Sequence, residues 1–273
     1  MDDTAIQAGG RTVRLKWHKL RRAADEPPFA PANLRAGLAA GAAVEIDIRR
    51  LGDGAWVCLH DDVLDEETDG TGPVAAIDSA AAARLRIAGA DYAPPRLTDL
   101  MAIVADTPAV AGHLQLDLKE PEDRLDAAAV ASLRAALGED ARRCILSGYH
   151  WPTLARVGSA IPGLRLGYDP YEAALANPPQ TGADFARFTE AVLAEAPDAA
   201  AFYLYHRFVG AALAAGVNPI AILQRHGAFV DVWTLDPTTP DIASILRAVV
   251  RAGADQITTN APGALARLWH ACA

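Results

Sequence analysis

Strand-like and helix-like segments alternate along almost the whole of this 273-residue chain, and that alternation limits the folds open to it. Short apolar or alternating runs predict strands over 11–17, 43–49, 55–60, 113–119, 143–148, 164–168, 200–205, 228–234 and 255–259. Stretches rich in Ala, Leu and Arg, with helical spacing, predict helices over 33–41, 78–88, 97–105, 123–137, 151–159, 183–195, 207–215, 219–226 and 239–252. The alanine runs within them are read as good helix former plus composition bias. Repeated strand–helix units imply parallel strands joined by right-handed crossovers. About eight such units with no break in composition fit one closed (β/α)8 TIM barrel filling residues 1–273 as a single domain. An open doubly wound sheet is the alternative. It calls for a glycine-rich phosphate loop after the first strand, but that strand ends in Trp17-His18-Lys19.

A barrel makes a sharp demand, because its sites lie at the C-terminal ends of the strands. The first strand ends in His18 and Lys19. The second carries Glu45 and Asp47 on one face, opposite Val44, Ile46 and Ile48. A hairpin-like extension follows Gly52-Asp53-Gly54 and ends in His60. The third strand, GHLQLDLKE, alternates strictly, with Leu114, Leu116 and Leu118 on one side and His113, Gln115, Asp117 and Lys119 on the other. The apolar row must pack on the helices, so the polar row turns inward. Three carboxylates (Glu45, Asp47, Asp117) brought together repel and raise one another's pKa values, and a divalent cation relieves this. Oxygen-only donors select Mg²⁺ or Ca²⁺ over zinc. Lys119 adds a charge suited to a phosphate oxygen, and His18 and His60 suit general acid and base work near neutral pH. Taken together, these groups read as phosphodiester cleavage.

Each residue also has a plainer reading: a structural or exposed histidine, the wet face of an edge strand for Glu45 and Asp47, a rim cation for Lys119. Their conjunction at strand ends is what favours a site. A net charge of -9, from 25 basic and 34 acidic residues, argues against electrostatic binding to nucleic acid or anionic membrane. The three cysteines, Cys58, Cys144 and Cys272, form no zinc or disulfide pattern and suit a reducing compartment. With no signal-like leader and no membrane-spanning apolar run, the expectation is a soluble, cytoplasmic protein. Nothing in the sequence sets an oligomeric state.

These segments resemble the glycerophosphodiester phosphodiesterases, TIM barrels of this length. That family opens with His-Arg-Gly and Pro-Glu-Asn-Thr, then carries Glu-x-Asp, a strand ending in His-Asp, and Leu-Asp-x-x-Thr-x-Gly-x-Gly-x-Val. Here VEIDI, CLHDDVLDEETDGTGPV, LQLDLK, VDVWTLD and GADQITTNAP follow in the same order, so the resemblance covers roughly residues 13–268. It implies lipid metabolism as the setting and hydrolysis of a small phosphodiester to sn-glycerol 3-phosphate and an alcohol. It implies His18 and His60 as the acid/base pair, and Glu45, Asp47 and Asp117 as ligands of one Mg²⁺ or Ca²⁺. Lys119, Lys19 and Trp233 follow as substrate or phosphate contacts, with core packing the plainer reading of Trp233. Ser147 falls where the family often has a serine and is assigned no role. Several positions depart: Lys19 and Leu20 stand for Arg and Gly, Pro31-Ala32-Asn33-Leu34 for Pro-Glu-Asn-Thr, Asp117 for Glu, and Glu66 for a common Arg. The first loop is also long. Two other readings follow: a phospholipase D or sphingomyelinase-like enzyme on lipid, for which Phe29 would form part of an apolar rim, and a catalytically impaired barrel that binds a phosphorylated ligand.

Overall fold

The computed structural model of the chain describes residues 3–108 and 112–272. Its strands are β1 (Ala5–Ala8), β2 (Arg11–Trp17), β3 (Ala43–Arg50), β4 (Trp56–Val57), β5 (Leu114–Leu118), β6 (Cys144–Gly148), β7 (Arg165–Tyr168), β8 (Ala201–Tyr205), β9 (Phe229–Trp233) and β10 (Gln256–Thr259). Eight of them, β2, β3 and β5 to β10, are parallel neighbours in chain order. β2 pairs with β10 on one edge and with β3 at Lys16 and Trp17 on the other, so the sheet closes on itself as a (β/α)8 barrel. The open-sheet alternative is excluded by that closure.

The stagger of closure leaves the start of β2 unpaired by β3. β1 takes that edge, antiparallel, matching Ala5 to Arg14 and Ala8 to Arg11. The sequence reading missed this strand. It also missed the helices Tyr171–Ala176 and Pro262–Cys272, and overran at 78–88, where the helix is only Ser79–Ala82. The strand expected over 55–60 pairs only at 56–57, antiparallel to the end of β3.

Helix starts follow local chemistry. Asp126 and Asn218 accept from the amides of Ala129 and Ala221, and Thr181 with Asp184 forms a reciprocal capping box. Val44, Ile46, Ile48, Leu114 and Leu116 are fully buried between strands and helices. Each such side chain contributes about 1.5–3 kcal/mol. The barrel interior is polar instead. The ammonium of Lys16 lies 3.1 Å from Asp231 Oδ2 and 4.4 Å from the centre of the Tyr203 ring, and it donates to Gln115. Gln256 and Thr258 donate to the Asp231 carboxylate, and Gln115 donates to Ser147 Oγ at 2.8 Å. These partners make a buried ion pair tolerable below the site.

Candidate active site

A cavity of about 230 Å³ opens at the C-terminal ends of the barrel strands. It is lined by His18, Lys19, Glu45, Asp47, His60, Asp117, Lys119 and Trp233, so the residues expected to hold cation and substrate or to act as acid and base reach one space. Tyr149 and Asp169, which sequence reasoning did not name, line it too.

Glu45 and Asp47 point inward from β3, and the β3–β5 register sets Asp47 beside Asp117. One oxygen from each of the three carboxylates lies within 4.8 Å of the others. Glu45 is pushed up to about 8, first by burial and then by the charges of Asp47 and Asp117. Burial also opposes the Asp47 charge, but Lys119 and Lys19, followed by His60 and His18, outweigh it and hold that carboxyl below its ordinary range. Lys119 Nζ donates to Asp117 Oδ2 at 2.6 Å and lies 3.3 Å from Asp47 Oδ1. It is no rim cation. Those carboxylates raise its pKa despite burial. Ser147 holds the other Asp117 oxygen at 2.9 Å. Asp47 Oδ2 is buried, accepts no hydrogen bond from the described residues, and faces the Lys19 ammonium at 3.4 Å. Three converging carboxylates, one with an unbonded buried oxygen, fit a hard divalent cation.

His18 follows β2, and its Nδ1 lies 2.9 Å from Asn260 Oδ1. Asn260 donates its amide to Asp236 at 2.7 Å, and a carboxylate can only accept, so the Asn260 oxygen must face the histidine. His18 Nδ1 therefore carries a hydrogen and Nε2 is left open, 3.8 Å from Glu45 Oε2. Burial lowers the His18 pKa to about 4, against the pull of Asp47. His60 is more open, its side chain 43% exposed, with Nδ1 2.8 Å from Asp61 Oδ1. In each ring Nδ1 is engaged by an orienting group, and among the described residues Nε2 takes part in no hydrogen bond.

The first loop departs from ordinary backbone geometry. Lys19, Leu20 and Phe29 all have φ between 52° and 64°, so Leu20 adopts a left-handed conformation that favours glycine, the residue the resembled family has there. The Lys19 amide donates to Glu45 Oε2 at 2.7 Å. Its ammonium reaches Glu67 Oε1 at 3.3 Å. Phe29 is fully buried, which corrects its placement on an apolar rim. Trp233 lines the cavity and packs against Tyr171 and Tyr205 with ring centres 5.2 and 4.9 Å away. Asn260, Asp236 and Glu67 escaped the sequence reading. All three stand in quoted segments, GADQITTNAP, VDVWTLD and CLHDDVLDEETDGTGPV, but no spacing announces pairings that the fold alone creates.

Histidines, carboxylates and lysines thus gather at the open end of a (β/α)8 barrel. A sequence model of the glycerophosphoryl diester phosphodiesterase family matches residues 32–264, and the chain belongs to that family. The match begins past His18 and the divergent first loop. No curated protein matches the sequence. Among solved structures, a Silicibacter pomeroyi protein assigned as a glycerophosphoryl diester phosphodiesterase is 21% identical, with a TM-score of 0.75 over 94% of this chain and 92% of that one. An Oleispira antarctica phosphodiesterase, solved with its product sn-glycerol-3-phosphate, is 19% identical, with a TM-score of 0.67 over 93% and 95%. A glycerophosphodiester phosphodiesterase from Parabacteroides distasonis is 13% identical, with a TM-score of 0.68 over 94% and 96%. These likenesses carry the barrel fold. Among the described residues no helix is long and apolar enough to cross a membrane.

Proposed function

We propose that the protein hydrolyses glycerophosphodiesters to sn-glycerol 3-phosphate and an alcohol, as one step of lipid metabolism in the cytoplasm. The observation that carries this reading is the convergence of three carboxylates and two oriented histidines on one cavity. The product bound to the Oleispira antarctica enzyme supports the choice of substrate. Glu45, Asp47 and Asp117 would hold one divalent cation, Mg²⁺ or Ca²⁺, which when bound supplies Lewis-acid polarisation of a phosphate oxygen. Lys119 and Lys19 set positive charge beside the phosphate. The open Nε2 of neutral His18 accepts the proton of the attacking hydroxyl. His60, oriented through Asp61, protonates the departing alkoxide. Trp233 forms an apolar wall against the substrate.

The test is release of glycerol 3-phosphate from glycerophosphocholine, with Mg²⁺, Ca²⁺ or chelator present. Cation-dependent product from the wild type is expected. His18→Ala and His60→Ala should each reduce turnover by on the order of 10²–10⁴-fold while the fold is retained. Near-normal turnover in either variant would sink the histidine assignment. Silence of the wild type with every cation would favour the impaired, ligand-binding barrel, and activity confined to micellar lipid the phospholipase-like one.

A further inference from the structure

His60 does not stand on a barrel strand. It follows β4 in an irregular segment, where no ladder partner is available for its backbone groups, and buried backbone groups must find one. Two charged side chains supply them. Glu67 Oε2 accepts from the amides of His60, at 2.5 Å, and Asp61, at 3.2 Å. On the other side Arg49 Nε donates to the His60 carbonyl at 2.7 Å, and its Nη1 to the Lys119 carbonyl at 2.9 Å.

Glu67 is itself held firmly. Its carbonyl accepts from the Ala88 amide at 2.9 Å, and Asp69, two residues on, exchanges bonds with Arg86. Its second carboxylate oxygen meets the Lys19 ammonium, which reaches on to Asp47. A continuous path of charged contacts therefore runs from Asp47 through Lys19 and Glu67 to the backbone that carries the His60 ring.

We propose that Glu67 is a positioning residue for the phosphodiesterase reaction: its carboxylate fixes the His60–Asp61 turn against the first loop, so that the His60 ring meets the leaving oxygen. The role rests on the proposed hydrolysis, but its geometry can be read apart from activity. Glu67 is neither among the residues lining the cavity nor one of the three clustered carboxylates. It acts through the backbone of His60, and charge-assisted bonds of this kind are among the stronger ones a loop can have.

The experiment compares wild type, Glu67→Ala and Glu67→Gln by amide hydrogen exchange and by glycerophosphocholine hydrolysis. Gln keeps an oxygen able to accept both amides, whereas Ala keeps none. In Glu67→Ala, exchange at the His60 and Asp61 amides should quicken by on the order of tenfold, with barrel-strand amides unchanged. kcat should fall by roughly 10- to 100-fold with little change in KM, the signature of a displaced proton donor. Glu67→Gln should restore slow exchange at both amides and recover most of the lost kcat. Unchanged exchange at those amides in Glu67→Ala overturns the proposal. So does a rise in KM alone, or a Gln variant as impaired as the Ala variant. A wild type inactive on every diester would sink the phosphodiesterase reading itself, while the exchange data would still decide whether Glu67 holds the turn.

Discussion

His113 occupies the end of the barrel interior away from the cavity, 6% exposed, with its ring edge-on to Phe229 at 6.2 Å. Burial, together with the charges of Lys16, Arg165 and Arg14, lowers its pKa to about 3. An unfolded chain protonates this histidine near pH 6.5. Between those values the unfolded state binds the extra proton, so stability must fall as pH drops from about 6.5 toward 3. The slope from this one group is at most about 1.4 kcal/mol per pH unit. Urea unfolding at stepped pH should show a steeper acid decline for the wild type than for His113→Leu, and parallel curves would refute the assignment. His18, lowered to about 4, adds a similar decline to both proteins and cancels in the comparison. The sequence revealed which of these side chains turn inward, because alternation fixes the face of a strand residue. It did not reveal Glu67, whose targets are two backbone amides and a lysine 48 positions earlier. A loop glutamate beside Glu66 reads as a solvated charge until the fold brings His60 to it.

Strands were legible wherever one side faces helices and the other the interior, as in β3 and β5, since period-two alternation records that asymmetry directly. The 78–88 segment shows how tertiary contacts override such a signal. Its alanines favour a helix, yet Ile87 forms a bridge with Thr68, and Asp69 pairs with Arg86, so the chain is drawn out after Ala82. β1 and the helix Pro262–Cys272 were missed because each is stabilised from outside itself. β1 fills an edge left by barrel stagger, and the helix is pinned to it where Trp269 donates to the Gln7 carbonyl at 2.8 Å. β7 makes a packing demand of its own. A Cβ on Gly167 would meet Tyr203 Cε2 at 2.4 Å and Ile145 Cγ2 at 3.2 Å, so the bare backbone makes room for the ring that Lys16 lies over. Gly167→Ala should therefore cost about 1–3 kcal/mol, the range for overpacking a filled core. The urea midpoint measures it. An unchanged midpoint would mean that Tyr203 yields freely.

Closure of the barrel joins two otherwise separate matters, the stability of the fold and the charge of the site. Glu45, Asp47 and Asp117 come from two strands 70 positions apart in numbering at the β3–β5 register, and only the folded chain brings them together. A cation that binds this cluster therefore binds the native state alone and must stabilise it by mass action. At a hundred times its Kd the gain is about 2.7 kcal/mol. At 2–4 °C per kcal/mol for a chain somewhat shorter than this one, the melting temperature should rise by roughly 5–10 °C. Glu45→Gln separates this effect from simple loss of structure. With its pKa pushed up to about 8 by burial and by its two neighbours, Glu45 is mostly protonated at pH 7 when no cation is bound. An amide is close in shape and charge to that neutral acid. Without added cation the variant should melt within a few degrees of the wild type, since its neutral side chain replaces a neutral one. With Mg²⁺ or Ca²⁺ the wild-type rise should appear and the variant's should be largely lost, because a neutral amide is a far weaker ligand than the carboxylate that cation binding generates. Thermal unfolding with each cation and with chelator measures both quantities, and an equal rise in the two proteins would remove Glu45 from the cation site.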